Sequence, residues 1–245
     1  MKKQIACMFA VFFTVLVVAQ EKKVAVVTFY SDKMVGFSNL VGKGNEILAT
    51  KIADLKNNPD FNLKPILQKF HDKFFNEYAK KFPFELVNEQ KVLENEAYKN
   101  YELRDVEEYT VKLNNYEVYP GYKYIAESWF KTKGEKGMTA IFKNKANGTM
   151  YVRIHFDLEK GFGIGGTASV KMRAFARIAL LNNEAKQVLA INESAPSKKT
   201  GVMVGGIPVI EPKKLLPMCE SALERLLKDL DKRLPKLIKK ANKKL

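Results

Sequence analysis

Apolar and polar residues alternate over the middle of the chain. Every second residue from Met150 to Leu158 is apolar, and the residues between them are mostly polar. A period of two predicts a β-strand with one buried face. The glycines of 161–166 allow a turn, a second alternating run covers Ala168 to Leu180, and a third begins at Gln187. The pattern predicts an antiparallel meander.

One face of the predicted meander carries a row of polar side chains. We call this row the polar strand face, and it comprises Tyr151, Arg153, His155, Asp157, Lys171 and Arg173. His155 and Asp157 are two residues apart on one strand, so they could orient each other as an acid/base pair. Such a row is more often a solvated sheet face, and we predict no catalytic residue in it.

The remaining pattern predicts helices packed on this sheet. Lys23 to Tyr30 is a nearly continuous apolar run, typical of a central strand covered on both faces. Apolar residues at helical spacing predict helices over 45–56, 65–81, 89–101 and 137–146, with a short strand over 84–87. An amphipathic helix begins at Leu215. We therefore predict an α/β sandwich: a mixed sheet with an antiparallel meander, covered by helices and closed by a C-terminal amphipathic helix.

Two segments are less regular. The periodicity fades over 102–132, an excursion rich in tyrosine, whose aromatic residues could line a groove for a small ligand or could pack the excursion onto the domain. The ligand-binding candidates are Tyr116, Tyr119, Tyr122, Tyr124 and Trp129. The segment 195–214 is rich in glycine and proline but carries several apolar residues. If exposed it would be a contact surface, although we favour a short hairpin folded on the core.

The N-terminus has the form of a secretory signal peptide. Residues 1–20 combine two early lysines, an apolar core and the small residue Ala19, and the core is too short for a typical membrane-spanning helix. We predict cleavage near Ala19 or Gln20, export to the periplasm or envelope, and a single α/β domain over 21–245. An uncleaved anchor is the alternative. Cys219 is then the one cysteine left, so no internal disulfide is expected.

The chain is strongly basic. Its net charge is +15, and removal of residues 1–20 leaves 40 basic against 27 acidic residues. This charge favours an anionic envelope surface as partner, including lipid beneath the last lysines of the C-terminal helix, although a solvated lysine-rich surface would have the same composition. Export argues against nucleic acid. The chain has two histidines and lacks paired histidine or CxxC spacing, so we predict no metal, no cofactor and no enzymatic activity.

The order of elements resembles that of a group of envelope proteins. The strings KVAVVTF, FELV and ANGTMYVRI, followed by a strand meander and a closing amphipathic helix, resemble the curli-secretion outer-membrane lipoproteins and the amino-terminal domain of TolB. The resemblance implies an α/β sandwich and an envelope location. The chain departs from the secretion lipoproteins because it lacks a lipidated cysteine at the mature start. Only 149–181 could serve as the long amphipathic hairpin with which those proteins build an oligomeric pore, and a soluble sheet explains the same alternation.

From these patterns we predict a non-catalytic exported envelope protein. It would act through contacts with envelope proteins or with an anionic envelope surface, in an assembly, secretion or accessory role, and it could be a homo-oligomer. The alternative is a periplasmic protein that binds a small ligand in the tyrosine-rich excursion.

Overall fold

The computed structural model describes residues 22–40, 50, 53–102, 113–127, 133–205, 207–209 and 211–240. The strands are β1 (Lys23–Asp32), β2 (Gly36–Asn39), β3 (Glu85–Leu86), β4 (Tyr116–Val118), β5 (Gly148–Ile164), β6 (Thr167–Asn182), β7 (Gln187–Val204) and β8 (Ile207–Val209). The α-helices are α1 (Lys64–Lys73), α2 (Glu89–Leu93), α3 (Glu96–Lys99), α4 (Lys133–Phe142) and α5 (Pro212–Leu237). A π-helical turn (Phe74–Tyr78) and a 3-10 turn (Ala79–Lys81) extend α1.

All eight strands belong to one mixed sheet. Its main order is β3-β1-β5-β6-β7-β8, with β2 beside β5 and β4 beside β1. Strand β1 is parallel to β3 and β5, whereas β5, β6, β7 and β8 are antiparallel to one another in succession. The antiparallel meander is therefore confirmed.

Strand β1 has apolar side chains on both faces because both faces are covered. Val24 and Val26 point into the larger core, which α1 and α5 close. Ala25 and Val27 point into a smaller core that includes residues of α2, α3 and α4. A bulge between Val26 and Thr28 then shifts the alternation. The predicted α/β fold, with helices over a mixed sheet and an amphipathic helix at the C-terminus, is confirmed.

The third strand of the meander is longer than predicted. It runs from Gln187 through the segment interpreted as a loop to Val204, and β8 then pairs with its end. Pro196 is accommodated by a bulge, since Arg173 faces Pro196 while Lys171 faces Thr200. The short hairpin predicted for 195–214 is therefore present, although only one of its two faces packs on the core.

Helix boundaries differ from the predictions for local reasons. The helix predicted from Glu89 is two helices, because the Asn95 side chain accepts hydrogen bonds from the Ala97 and Tyr98 amides and caps a new helix. Helix α4 begins and ends earlier than predicted. Helix α5 begins at Pro212, with α1 beside it. The predicted helix over 45–56 lies largely outside the described residues.

Candidate functional site

The tyrosines predicted to line a ligand groove are divided between the two faces of β1. Tyr116 and Tyr124 stack with ring centroids 4.0 Å apart, and both rings contact Tyr30. Tyr119 and Tyr122 pack instead on the larger core. The four rings therefore do not share one groove.

The fifth aromatic candidate, Trp129, lies outside the described residues. The small-ligand hypothesis for this segment stays a prediction.

The stacked pair of tyrosines borders a polar cluster at the end of β1. The Cα atoms of Tyr30 and Arg153 are partners in the parallel β1–β5 ladder, and the positive charge of Arg153 acts on the Tyr30 hydroxyl. Burial raises the pKa of Tyr30 to about 12, although Arg153 opposes the shift. Among the described residues, the buried Arg153 Nε has no hydrogen-bond partner.

The Asp32 carboxyl group belongs to this cluster, and its environment shifts its pKa. Burial raises the pKa of Asp32 to about 6, and the Asp157 carboxylate adds to the shift. The Met34 amide and the Arg153 guanidinium oppose it, because both favour the ionised form. Neither Asp32 nor Tyr30 was singled out from the sequence, because they join the polar strand face only through the pairing of β1 with β5.

His155 and Asp157 face the same side of β5, as predicted, but they are held by different neighbours. The His155 ring stacks on Phe175, with centroids 4.6 Å apart, and burial lowers its pKa. The Asp157 carboxylate lies against Gly36, where a Cβ would come within 1.9 Å of Oδ1, so a side chain at position 36 would displace this carboxylate. No hydrogen bond joins His155 to Asp157 in the described part of the chain. The acid/base pair thus lacks the contact that would orient it.

Two arginines of β6, Arg173 of the polar strand face and Arg177, are held by ion pairs. Arg173 donates two hydrogen bonds to Glu159, at 2.7 and 3.3 Å, and one to Ser194. Arg177 pairs with Glu127 through two hydrogen bonds, and this contact ties the tyrosine-rich segment to β6. Such bidentate pairs hold arginine in a fixed orientation.

Two members of the polar strand face differ from the rest. Tyr151 is buried in the smaller core with Met138 and Phe142 of α4, so the expectation of a solvated face is wrong at this residue. The cover is a separate element, helix α4, so the alternation within β5 does not reveal it. Lys171 lies toward the distal end of β6 and is partly exposed.

The distal end of the meander carries a surface that the sequence analysis did not identify as a whole. Five apolar side chains are strongly exposed there. Their exposed fractions are 80% for Phe162, 75% for Ile164, 50% for Val202, 53% for Val204 and 66% for Val209. The ladders place four of them on one face, because Ile164, Thr167, Val204 and Ile207 form one cross-strand row and Ser169, Val202 and Val209 the next. Phe162 lies two residues before Ile164, where the β5–β6 register shifts. We call these five residues the apolar tip.

The other face at the same level is packed normally. Ala168 and Met203, which alternate with the residues of the apolar tip, are buried in the larger core. The two interpretations of 195–214 are therefore both partly realised, since one face of the hairpin packs on the core and the other is exposed. The sequence signal was the apolar run Val202-Met203-Val204, in which residues of both faces are apolar, whereas Phe162 and Ile164 lie within a glycine cluster interpreted only as a turn.

Lysines occur in both segments that carry the apolar tip. The two tip segments, 160–171 and 198–209, contain Lys160, Lys171, Lys198 and Lys199 but no aspartate or glutamate. Three of these lysines are exposed and Lys171 is partly exposed. Their long side chains can extend beside an apolar surface while the ammonium groups stay in water.

A second polar cluster is formed by His71, Glu89 and Tyr119, where α1 meets the start of α2. His71 is buried, its Nε2 lies 2.6 Å from a carboxylate oxygen of Glu89, and its ring stacks on Tyr119 with centroids 3.6 Å apart. The Glu89 partner could not be expected, because α2 meets α1 only in the folded chain.

The described residues offer no site for a metal and no membrane-spanning helix. No group of three or more His, Cys, Asp or Glu side chains in the described ranges is placed to hold a metal ion. Within the same ranges, no helix is both long enough and apolar enough to cross a membrane. Cys219 is fully buried, and burial raises the pKa of its thiol.

Comparison with known proteins found only weak structural likenesses. No protein-family model and no curated protein matches the chain. A neuraminyllactose-binding hemagglutinin homologue from Helicobacter pylori aligns over 92% of this chain and 91% of its own, with 6% identity and a TM-score of 0.30. Lipoprotein GNA1162 from Neisseria meningitidis aligns over 85% of this chain and 99% of its own, with 12% identity and a TM-score of 0.27. These values assign no family, and the resemblance to curli-secretion lipoproteins and TolB stays a prediction.

Proposed function

We propose that this chain is a non-catalytic exported protein that binds an anionic lipid surface of the cell envelope through the apolar tip. One observation carries the proposal: five apolar side chains are exposed at the distal end of the meander. A soluble protein seldom leaves such a group uncovered without a binding role.

Charge favours lipid as the partner. The tip segments carry four lysines and no carboxylate, so the apolar side chains would enter the interface while the ammonium groups meet anionic head groups. A protein partner would be expected to place carboxylates at fixed positions opposite these lysines. An anionic membrane can attract the lysines without any fixed arrangement of its charges. The proposed role of the chain is therefore attachment to, or organisation of, an envelope membrane.

The decisive test is flotation with vesicles. The full chain is expressed, its mature amino terminus is determined by mass spectrometry, and the purified protein is mixed with vesicles of phosphatidylcholine alone or with phosphatidylglycerol. We expect flotation with the anionic vesicles. Phe162→Ser/Ile164→Ser should weaken it at least about tenfold, because burying each side chain is worth about 1.5–3 kcal/mol.

The matched control is Phe162→Leu/Ile164→Val, which keeps the surface apolar and should retain flotation. Both double variants should fold normally, because Phe162 and Ile164 are mostly exposed. Equal flotation of the serine variant and the parent would overturn the proposal. So would failure of the parent to float with either vesicle.

A further inference from the structure

One arginine on the sheet face opposite to the larger core has no carboxylate in contact. Arg173 and Arg177, on the neighbouring strand β6, are each held by a glutamate through two hydrogen bonds. Arg153 of β5 forms no ion pair within the part of the chain that the structure describes, and its buried Nε has no hydrogen-bond partner there. A guanidinium that is partly withdrawn from water destabilises a fold unless an acceptor meets it. The position therefore favours a partner from outside the chain.

The strand ladders place a second positive charge beside Arg153. Arg153 and Arg177 are Cα partners in the antiparallel β5–β6 pair. Like charges at directly opposite positions destabilise a sheet. The Glu127 carboxylate pairs with the Arg177 guanidinium, whereas no carboxylate among the described residues pairs with Arg153. An anion bound to Arg153 would fill its donors and reduce this repulsion.

Two carboxyl groups belong to the same cluster as Arg153, but other neighbours hold them. Burial raises the pKa of Asp32 to about 6, and the Met34 amide and Arg153 oppose the shift. The Asp157 carboxylate lies against Gly36 of β2. Neither carboxyl group forms an ion pair with Arg153 in the described ranges, so the guanidinium keeps donors for a ligand. Their negative charge favours a monoanion as that ligand over a dianion such as phosphate.

An apolar surface lies next to this guanidinium on the same face. The next pair on this face of the β5–β6 ladder joins His155 to Phe175, whose rings stack with centroids 4.6 Å apart. Both residues are partly exposed. Burial lowers the pKa of His155, which favours an uncharged ring at neutral pH. Phe175 is thus a diagonal neighbour of Arg153, close enough for one small molecule to contact both.

We propose that Arg153 binds a small organic monocarboxylate whose apolar body lies against Phe175. A carboxylate matches the guanidinium because two parallel N–H···O hydrogen bonds can form in one plane. The site is separate from the apolar tip, because Arg153 precedes Ile164 by eleven residues of β5, which corresponds to about 36 Å along a strand. Binding at this site therefore does not depend on membrane attachment.

The test compares benzoate with benzamide, which has nearly the same shape but no charge. The purified full chain is titrated with each compound in a calorimeter, without vesicles. We expect benzoate to bind with a Kd of about 1 mM or lower, and benzamide to bind at least about tenfold more weakly. Arg153→Gln should weaken benzoate binding at least about tenfold, because the charged hydrogen bonds are lost. Lys171→Gln is the matched control, since it removes the same charge from the same face, and it should change the Kd by less than about twofold.

A second variant tests the neighbouring carboxyl group. At about pH 7.5 the Asp32 carboxylate is ionised and repels benzoate, so Asp32→Asn should bind benzoate severalfold more tightly than the parent. At about pH 5 most Asp32 carboxyl groups are protonated, so the two proteins should bind benzoate alike. The titratable and charged groups around Asp32, which both proteins share, are Tyr30, Tyr116, Tyr124, Arg153, His155 and Asp157.

If Arg153→Gln does not fold, the melting temperature of the parent decides the question, because excess benzoate should raise it and excess benzamide should not. The proposal is overturned if benzoate does not bind the parent, if benzamide binds equally well, or if Lys171→Gln weakens binding as much as Arg153→Gln. Equal binding by Asp32→Asn and the parent at neutral pH would also overturn it, because the ligand would then lie away from this cluster.

Discussion

Asp32 shows how a single residue of the polar cluster links the fold to pH. Burial next to Asp157 raises its pKa from 3.8 to about 6, so between these values the folded chain holds more protons at this site than the unfolded chain. Stability therefore falls as pH rises through this window, and the loss remains at higher pH. At neutral pH the ionised Asp32 carboxylate therefore destabilises the folded protein. Arg153 and the Met34 amide offset this effect only in part.

Replacing the carboxyl group should relieve this cost. Asp32→Asn should increase the free energy of unfolding by about 1–2 kcal/mol above about pH 7, and the gain should disappear near pH 4. Urea unfolding of both proteins across this range measures the difference. Asp60→Asn, at an exposed loop position, is the control and should leave the pH profile unchanged. A variant less stable than the parent at every pH would show that the native contacts of the carboxylate dominate.

At this scale, the sequence predicted what strand alternation alone determines. Arg153, His155 and Asp157 share a face because they are two residues apart, and the structure places them so. The sequence could not predict that Tyr30 and Asp32 join these three residues, because the β1–β5 register connects residues more than 100 positions apart. Nor could it predict that Tyr151 is covered, because its cover is a separate helix.

At the scale of elements, α5 is fixed to the sheet by more than its apolar stripe. Arg233 on the helix donates to Glu193 on β7 at 2.5 Å, and the Glu193 side chain is only 5% exposed. On the opposite flank, the Tyr78 hydroxyl donates to the Leu227 carbonyl. The amphipathic pattern predicted the helix and its packing face, but not these two polar contacts, which depend on where the helix lies across β7.

The Arg233–Glu193 pair gives a test of this docking. Arg233→Met should lower the free energy of unfolding by about 2 kcal/mol or more, because it leaves the Glu193 carboxylate buried without its partner. The double variant Arg233→Met/Glu193→Leu should regain most of the loss, since it removes the buried charge as well. Lys232→Met, at the exposed neighbouring position, should change stability by less than about 0.5 kcal/mol. Chemical denaturation measures all three, and an equal loss in the single and double variants would contradict this account.

At the scale of the whole molecule, the distribution of charge matters more than its sum. The chain carries 42 basic residues, and many of them are far along the chain from the apolar tip, including the exposed lysines in the second half of α5 and the turn after it. Composition suggested attraction to anionic surfaces, but it could not say which surface of the molecule would make contact. Only the strand ladders bring Lys160 and Lys171 to the same end of the sheet as Lys198 and Lys199.

Replacing either of two sets of four lysines, equal in charge, distinguishes a local contact at the apolar tip from general electrostatic attraction. The tip set is Lys160, Lys171, Lys198 and Lys199, and the helix set is Lys228, Lys232, Lys236 and Lys239. If the tip meets the membrane, replacing the tip set with glutamine should weaken flotation with anionic vesicles at least about tenfold, since each lysine near the surface contributes about 1 kcal/mol. Replacing the helix set should have a much smaller effect, because those side chains would stay in solvent and be screened beyond roughly 10 Å. Equal losses would mean that net charge alone drives binding, and a larger loss from the helix set would mean that α5, not the tip, faces the lipid.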